Sequence, residues 1–200
     1  MLFRSQLTDE EMQAFAENGV GVAHCPRTIP RLGFPLTRIS AMRKYGIKVG
    51  VGVDGSASND SGSMLGDMRL ALILHRIGTP AGTDTEKEWL DPLDVLQMAT
   101  AVPASILGRT DIGQIAPGCR ADIAAFNLNK VDYAGGVTDP IGSLLMAGAW
   151  SRAALTMVEG RVLVRDGRLT EHDENGIVEE ANAASRRMFT NAGKAAMISV

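Results

Sequence analysis

The chain is poor in the residues that would announce several common functions. Its two cysteines, Cys25 and Cys119, lie far apart and form no CxxC pair, which excludes a disulfide framework and makes a reduced, cytoplasmic location the default. Aromatic residues make up 4% of the 200 positions, too few for a base-stacking surface. A net charge of −3 and a pI near 5.6 give no electrostatic reason to expect nucleic acid or an anionic membrane as partner. No apolar run approaches the roughly 20 residues that cross a bilayer, and the start Met1-Leu2-Phe3-Arg4-Ser5 lacks the long apolar region and cleavage site of a signal peptide. There is no internal repeat and no low-complexity segment.

What is present is aliphatic: 45% hydrophobic residues, with 22 glycines and 10 methionines, the profile of an α/β protein with an ordinary core. Thr8-Asp9-Glu10-Glu11 reads as a capping box ahead of a helix with Met12, Phe15 and Ala16 on one face and Gly19 as its stop. Val20-Gly21-Val22-Ala23 reads as a strand running into His24-Cys25-Pro26. Residues 27–34 read as a loop, and Pro35 as the first turn of a helix that turns Leu36, Ile39 and Met42 inward. After Gly46, residues 47–53 form the expected central strand, and Met64, Leu65, Met68, Leu72 and His75 recur at helical spacing. This alternation is that of a parallel sheet with covering helices. Residues 79–87 read as a surface loop, and Asp91-Pro92 opens a helix with Val95, Leu96, Ala99 and Val102 on one face, ending near Gly108.

Beyond Gly108 the period changes. Residues 112–118 are turn chemistry, residues 121–126 a strand, and residues 153–158 and 161–164 flank Glu159-Gly160 at the spacing of a tight hairpin. Antiparallel structure is expected here, with a boundary near residues 109–111. Val178, Ala181, Ser185 and Met188 mark a terminal helix.

The stretch with most chemical promise is Val49-Gly50-Val51-Gly52-Val53-Asp54-Gly55-Ser56-Ala57-Ser58-Asn59-Asp60. Its Val/Gly run suits a buried strand that lets backbone or ligand come close, and it stops on a carboxylate where a loop opens. In parallel α/β architecture that end of a strand is where chemistry is done. Of the three histidines, His75 falls on a helical stripe and reads as a core-edge residue, and His172 lies among charges and reads as solvated. His24 stands at a strand end beside Cys25, as either a scaffold residue or a ligand. Asp54 and His24 are too few for a closed metal site, since a catalytic zinc takes three protein ligands and a water.

Four segments, Val22-Ala23-His24-Cys25-Pro26, Arg31-Leu32-Gly33, the Val51 to Asp60 stretch and the run from Asp111 to Ile123, together resemble the carboxyl-terminal half of the amidohydrolase superfamily. Within it they resemble the branch of aminohydrolases and chlorohydrolases acting on purines and triazines. The Ser-Ala-Ser-Asn-Asp form of the loop, with Tyr133-Ala134-Gly135-Gly136 and Asp139-Pro140 downstream, is most similar to the members acting on 8-oxoguanine and hydroxytriazines.

The resemblance implies a (β/α)8 barrel with a small β-sandwich built from both chain ends. It places residues 1–110 in the barrel, 111–130 and 152–170 in the sandwich, and 131–151 and 171–200 back on the barrel side. It implies hydrolytic deamination of an aromatic N-heterocycle, with a divalent metal, zinc first and iron second. Asp54 falls on the strand-eight aspartate that binds that metal and moves the proton of its water. His24, Ser58 and Asn59 are the implied substrate contacts, homo-oligomerisation stays open, and neither nucleic acid nor membrane is an implied partner.

The family's other metal ligands belong upstream, and its strand-six His registers near Phe3, where there is none. The family's Ser-Asn after Cys-Pro is here Thr28-Ile29. A fragment with one metal ligand and a half-built sandwich with an unpaired edge is therefore expected. The rival expectation is an inert remnant or an interaction module.

Overall fold

The computed structural model describes residues 6–77, 82, 88–147 and 152–193. Phe3 and, apart from Gly82, the expected 79–87 loop lie outside them. Contacts divide the chain into two units, Met1–Ala121 with Asn127–Ser151, and Asp122–Phe126 with Arg152–Val200.

In the first unit, α1 (Asp9–Glu17) begins at the expected capping box, the Glu11 N–H donating to Thr8 Oγ1 at 3.2 Å and the Thr8 N–H to Glu11 Oε2 at 3.0 Å. Gly19 follows with a φ of 63°, the left-handed turn that lets the chain leave the helix. Strand β1 (Val22–His24) starts two residues later than expected. The 27–34 segment is not all loop, because α2 (Thr28–Arg31) forms inside it. Pro35 does not open a helix: α3 (Ile39–Lys44) begins four residues on, although Ile39 and Met42 are buried as expected.

Strand β2 (Val49–Val51) is shorter than the expected 47–53, and it pairs with β1 in parallel, Val22 opposite Val49 and His24 opposite Val51. The Gly52 N–H still donates to the His24 carbonyl at 2.8 Å before the chain turns away. Helix α4 (Met64–Leu74) is capped by Ser63, whose hydroxyl accepts from the Gly66 N–H at 3.2 Å. The next expected helix is two, α5 (Pro92–Met98) and α6 (Ala101–Ile106). Pro103 has no N–H to offer the Ala99 carbonyl, so the helical ladder is interrupted there. Asp91 and Asp94 cap each other at the start of α5.

The core of this unit joins Met12, Ile39, Met42, Val49, Val51, Met68, Leu72, Leu90, Val95 and Leu145. Val49 and Val51 thus join that core, and strand alternation turns Gly50 and Gly52 to the opposite face, where Gly50 lies against Pro103 of α6. Residues 111–121, expected with the sandwich, group with this unit. There the Arg120 N–H donates to the Asp111 carbonyl at 2.8 Å, and Arg109 and Arg120 hold the Asp111 carboxyl well below the usual range. A helical turn α7 (Pro140–Gly142) precedes a π-helical turn over Ser143–Ala147.

The second unit is antiparallel, as the change of period predicts. Strands β3 (Ile123–Ala125), β4 (Leu155–Val158), β5 (Arg161–Arg165) and β6 (Arg168–Leu169) form one sheet in that order. Glu159 and Gly160 both have positive φ, 50° and 82°, the mirror-image turn whose twist matches a two-residue hairpin. Strand β3 pairs only with β4, so its outer edge is unpaired among the described residues. Helix α8 (Glu174–Asn191), capped by Asp173, starts earlier than the apolar spacing indicates. The terminal segment, expected on the barrel side, belongs to this second unit. Among the described residues no helix is long and apolar enough to cross a membrane.

Candidate active site

Asp54 lies just past the carboxyl end of β2, as its place in the Val/Gly run predicts, and its φ is 59°. A non-glycine residue resists this conformation, so local bonds must hold it there. The Ser58 and Asn59 N–H groups both donate to the Gly55 carbonyl, at 3.1 and 2.9 Å, and close the loop. That turn brings the Ser58 hydroxyl to Asp54, where it donates to Oδ2 at 2.8 Å. This hydrogen bond, followed by one from the Gly55 N–H, favours the charged form and holds the Asp54 carboxyl below the ordinary aspartate range. Thr28 acts in the same direction more weakly; its buried hydroxyl makes no hydrogen bond of ordinary geometry.

Of the four sequence-derived candidates, the structure brings together Asp54 and Ser58. Asn59 is placed as an anchor: it is 2% exposed, its Nδ2 donates to Asp67 Oδ2 at 2.8 Å, and its Oδ1 accepts from the Ser61 N–H and hydroxyl. Both ends of its amide are thus engaged within the protein. His24 is buried as well. It sits opposite Val51 in β1, 2% exposed, with its Nε2 3.0 Å from Nε2 of His75 at the end of α4. One ring donates to the other. Burial, then the charge of His75, lowers His24 to about 3, and burial lowers His75 to about 4, so both are neutral at pH 7.

Cys25 follows His24 and alternation turns it the other way: a Cβ built on Gly52 would lie 3.3 Å from its Sγ. Burial, then the negative charges of Asp54 and Asp67, push its thiol up to about 11. It therefore stays protonated at pH 7 and is a poor nucleophile.

Sequence reasoning missed Asp67. It is 0% exposed in the first turn of α4, and it accepts from the Arg27 N–H at 3.3 Å as well as from Asn59. The available signal was a carboxylate set among Met64, Leu65, Met68, Ala71 and Leu72, where a helix buries its apolar stripe.

Among the described residues, no three His, Cys, Asp or Glu side chains converge on a point that could hold a metal. The Asp54 neighbourhood offers one carboxylate, a neutral thiol and hydroxyls, whereas a catalytic zinc takes about three protein ligands. By themselves these residues do not complete a metal site.

Residues 5–163 match the Amidohydrolase family. The chain belongs to that family. It is 34% identical over 184 residues to hydroxydechloroatrazine ethylaminohydrolase of Pseudomonas sp. strain ADP, covering 92% of this chain and 38% of that protein. It is 37% identical over 180 residues to 8-oxoguanine deaminase of Pseudomonas aeruginosa, covering 90% and 38%. Among solved structures it is similar to atrazine chlorohydrolase TrzN from Arthrobacter aurescens TC1 complexed with zinc, with a TM-score of 0.83, 41% identity and coverage of 89% and 38%. This amidohydrolase chain thus spans well under half the length of the relatives it matches.

Proposed function

We propose that this chain carries the Asp54 side of a metal-dependent amidohydrolase that acts on non-peptide C–N bonds and deaminates an aromatic N-heterocycle of the 8-oxoguanine, guanine or hydroxytriazine type. In this reading β1 and β2 are neighbouring strands in the carboxyl-terminal part of a (β/α)8 barrel, and the antiparallel unit is part of a composite β-sandwich. A cytoplasmic location belongs to the same proposal, supported by the unpaired Cys25 and Cys119.

The observation that carries it is the placement of Asp54, charged and held in a left-handed conformation at the carboxyl end of a parallel strand, in a chain of this family. Ser58 occupies one oxygen of the carboxylate with its proton. Asp54 is exposed, and a carboxylate has lone pairs beyond the one Ser58 uses with which to share a cation or accept a proton from a water. A divalent ion, zinc as in the TrzN structure or iron, would supply Lewis-acid activation of a water, and Asp54 is the residue of this chain that would help hold that ion. Its other ligands have to come from outside the residues described. The absence of a three-ligand cluster among the described residues also favours a second reading, an inert remnant or interaction module.

Joining this chain to the complementary amino-terminal section of the P. aeruginosa 8-oxoguanine deaminase tests both readings. The expected result is chelator-sensitive ammonia release from 8-oxoguanine or a hydroxytriazine, lowered by about a thousandfold or more in Asp54→Asn. The 200-residue chain alone is expected to bind zinc weakly in calorimetry and to release no ammonia. A fully active Asp54→Asn hybrid, or enzyme-like turnover by the chain alone, sinks the assignment. A folded hybrid without activity favours the second reading.

A further inference from the structure

Asp67 has no part in the chemistry above, yet its two oxygens serve two different loops. Oδ1 accepts from the Arg27 N–H at 3.3 Å, in the loop after β1, and Oδ2 accepts from Asn59 Nδ2 at 2.8 Å, in the loop after β2. The Arg27 guanidinium adds a positive charge, with Nε 3.7 Å from Oδ2. A fully buried carboxylate is tolerated only with such partners. The start of α4 does not need it, because Ser63 already caps that helix. What the carboxylate does reach is telling. Asn59 immediately follows Ser58, whose hydroxyl donates to Asp54 Oδ2 at 2.8 Å, and Arg27 immediately precedes Thr28, a second hydroxyl residue.

We propose that Asp67 is a positioning residue for Asp54: one acceptor-only side chain ties the two loops together at the residues flanking both hydroxyls, and so sets the Ser58 hydroxyl against the reactive carboxylate. This rests on the reading of Asp54 as that carboxylate. Only Asp offers two acceptors on so short a stem. Asn at position 67 keeps the shape but turns an NH₂ toward one of two N–H donors.

The test uses the whole 200-residue chain, ¹³C-labelled at aspartate, without metal and at pH 7. Asp67→Asn is expected to move the Asp54 carboxyl-carbon resonance in the same direction as Ser58→Ala does. It should also speed exchange of the Ser58 and Asn59 amides about tenfold or more, with the amides of Met68 and Leu72 and the core methyl resonances unchanged. The polarity swap Asn59→Asp with Asp67→Asn, which restores a donor facing an acceptor, should return the Asp54 resonance toward its original position. An unchanged Asp54 resonance in Asp67→Asn overturns the proposal, as does a change accompanied by equal disturbance throughout the core. If Asp67→Asn does not fold, Asn59→Ala decides, since it cuts the tie to one loop: the Ser58→Ala signature supports positioning and its absence refutes it. Neither readout involves a metal or turnover, so failure of this proposal is distinguishable from failure of the deaminase reading.

Discussion

In the first unit the described residues form a sheet of two strands paired over three positions, yet every buried apolar side chain among the described residues belongs to that unit. In the second, four strands pair in order and an 18-residue helix follows, yet no described residue is buried. The contrast separates two sources of order. A ladder of backbone hydrogen bonds specifies register and contributes little net free energy, because the unfolded chain bonds equally well to water. Burial of Met42, Leu72 and Val95 is what holds the first unit. Exposed pairs in the second, such as Arg161 with Glu171 at 3.2 Å, add little.

The largest test of that contrast is a pair of matched truncations followed by urea unfolding. Leu72→Ala, in the core, is expected to cost about 2–5 kcal/mol, whereas Leu163→Ala on half-buried β5 costs about 1 kcal/mol or less. Equal losses would break the distinction.

Acid sharpens it next. His24 and His75 both lie in the first unit with folded pKa values of about 3 and 4, below the ordinary 6.5. The unfolded chain therefore binds more protons, so stability is full above about pH 6.5 and falls as pH drops toward 4. His24 accounts for a loss on the order of 2 kcal/mol by pH 5. Unfolding midpoints measured from pH 7 to pH 5 should fall steadily, and His24→Leu should flatten the slope. A slope unaltered by that substitution would mean the loss arises elsewhere.

The smallest effect concerns the strained residue itself. Asp54→Gly removes the Cβ that disfavours a φ of 59° and is expected to raise the melting temperature by about 2–4 °C. Calorimetry showing a lower melting temperature would mean the carboxylate contributes more through Ser58 than its backbone costs.

Much of the first unit was legible in its residues. The Thr8–Glu11 capping box, the Asp91 N-cap and, in the second unit, the Glu159-Gly160 turn are short-range chemistry, and each forms as read. What failed depended on distance in three dimensions. Alternation along β1 says that His24 and Cys25 face opposite ways, but not which of them faces Asp54; that follows from the register pairing His24 with Val51. Asn59 reads as a loop residue available to a ligand until Asp67, eight positions on and in a helix, is seen to consume its amide. The helix in residues 27–34 is hidden because Pro26, Pro30 and Gly33 spell a loop, and the split between α5 and α6 because the apolar stripe Val95, Leu96, Ala99 and Val102 runs across it.

The backbone of Asp54 also bears on what its codon has to encode. In the genetic code an aspartate codon is one nucleotide from glycine and one from asparagine, the residue types most at ease with positive φ. Either change relieves the backbone strain at a φ of 59°, so strain alone gives no reason to keep an acid at this codon. An aspartate kept there answers to its carboxylate, not to its backbone.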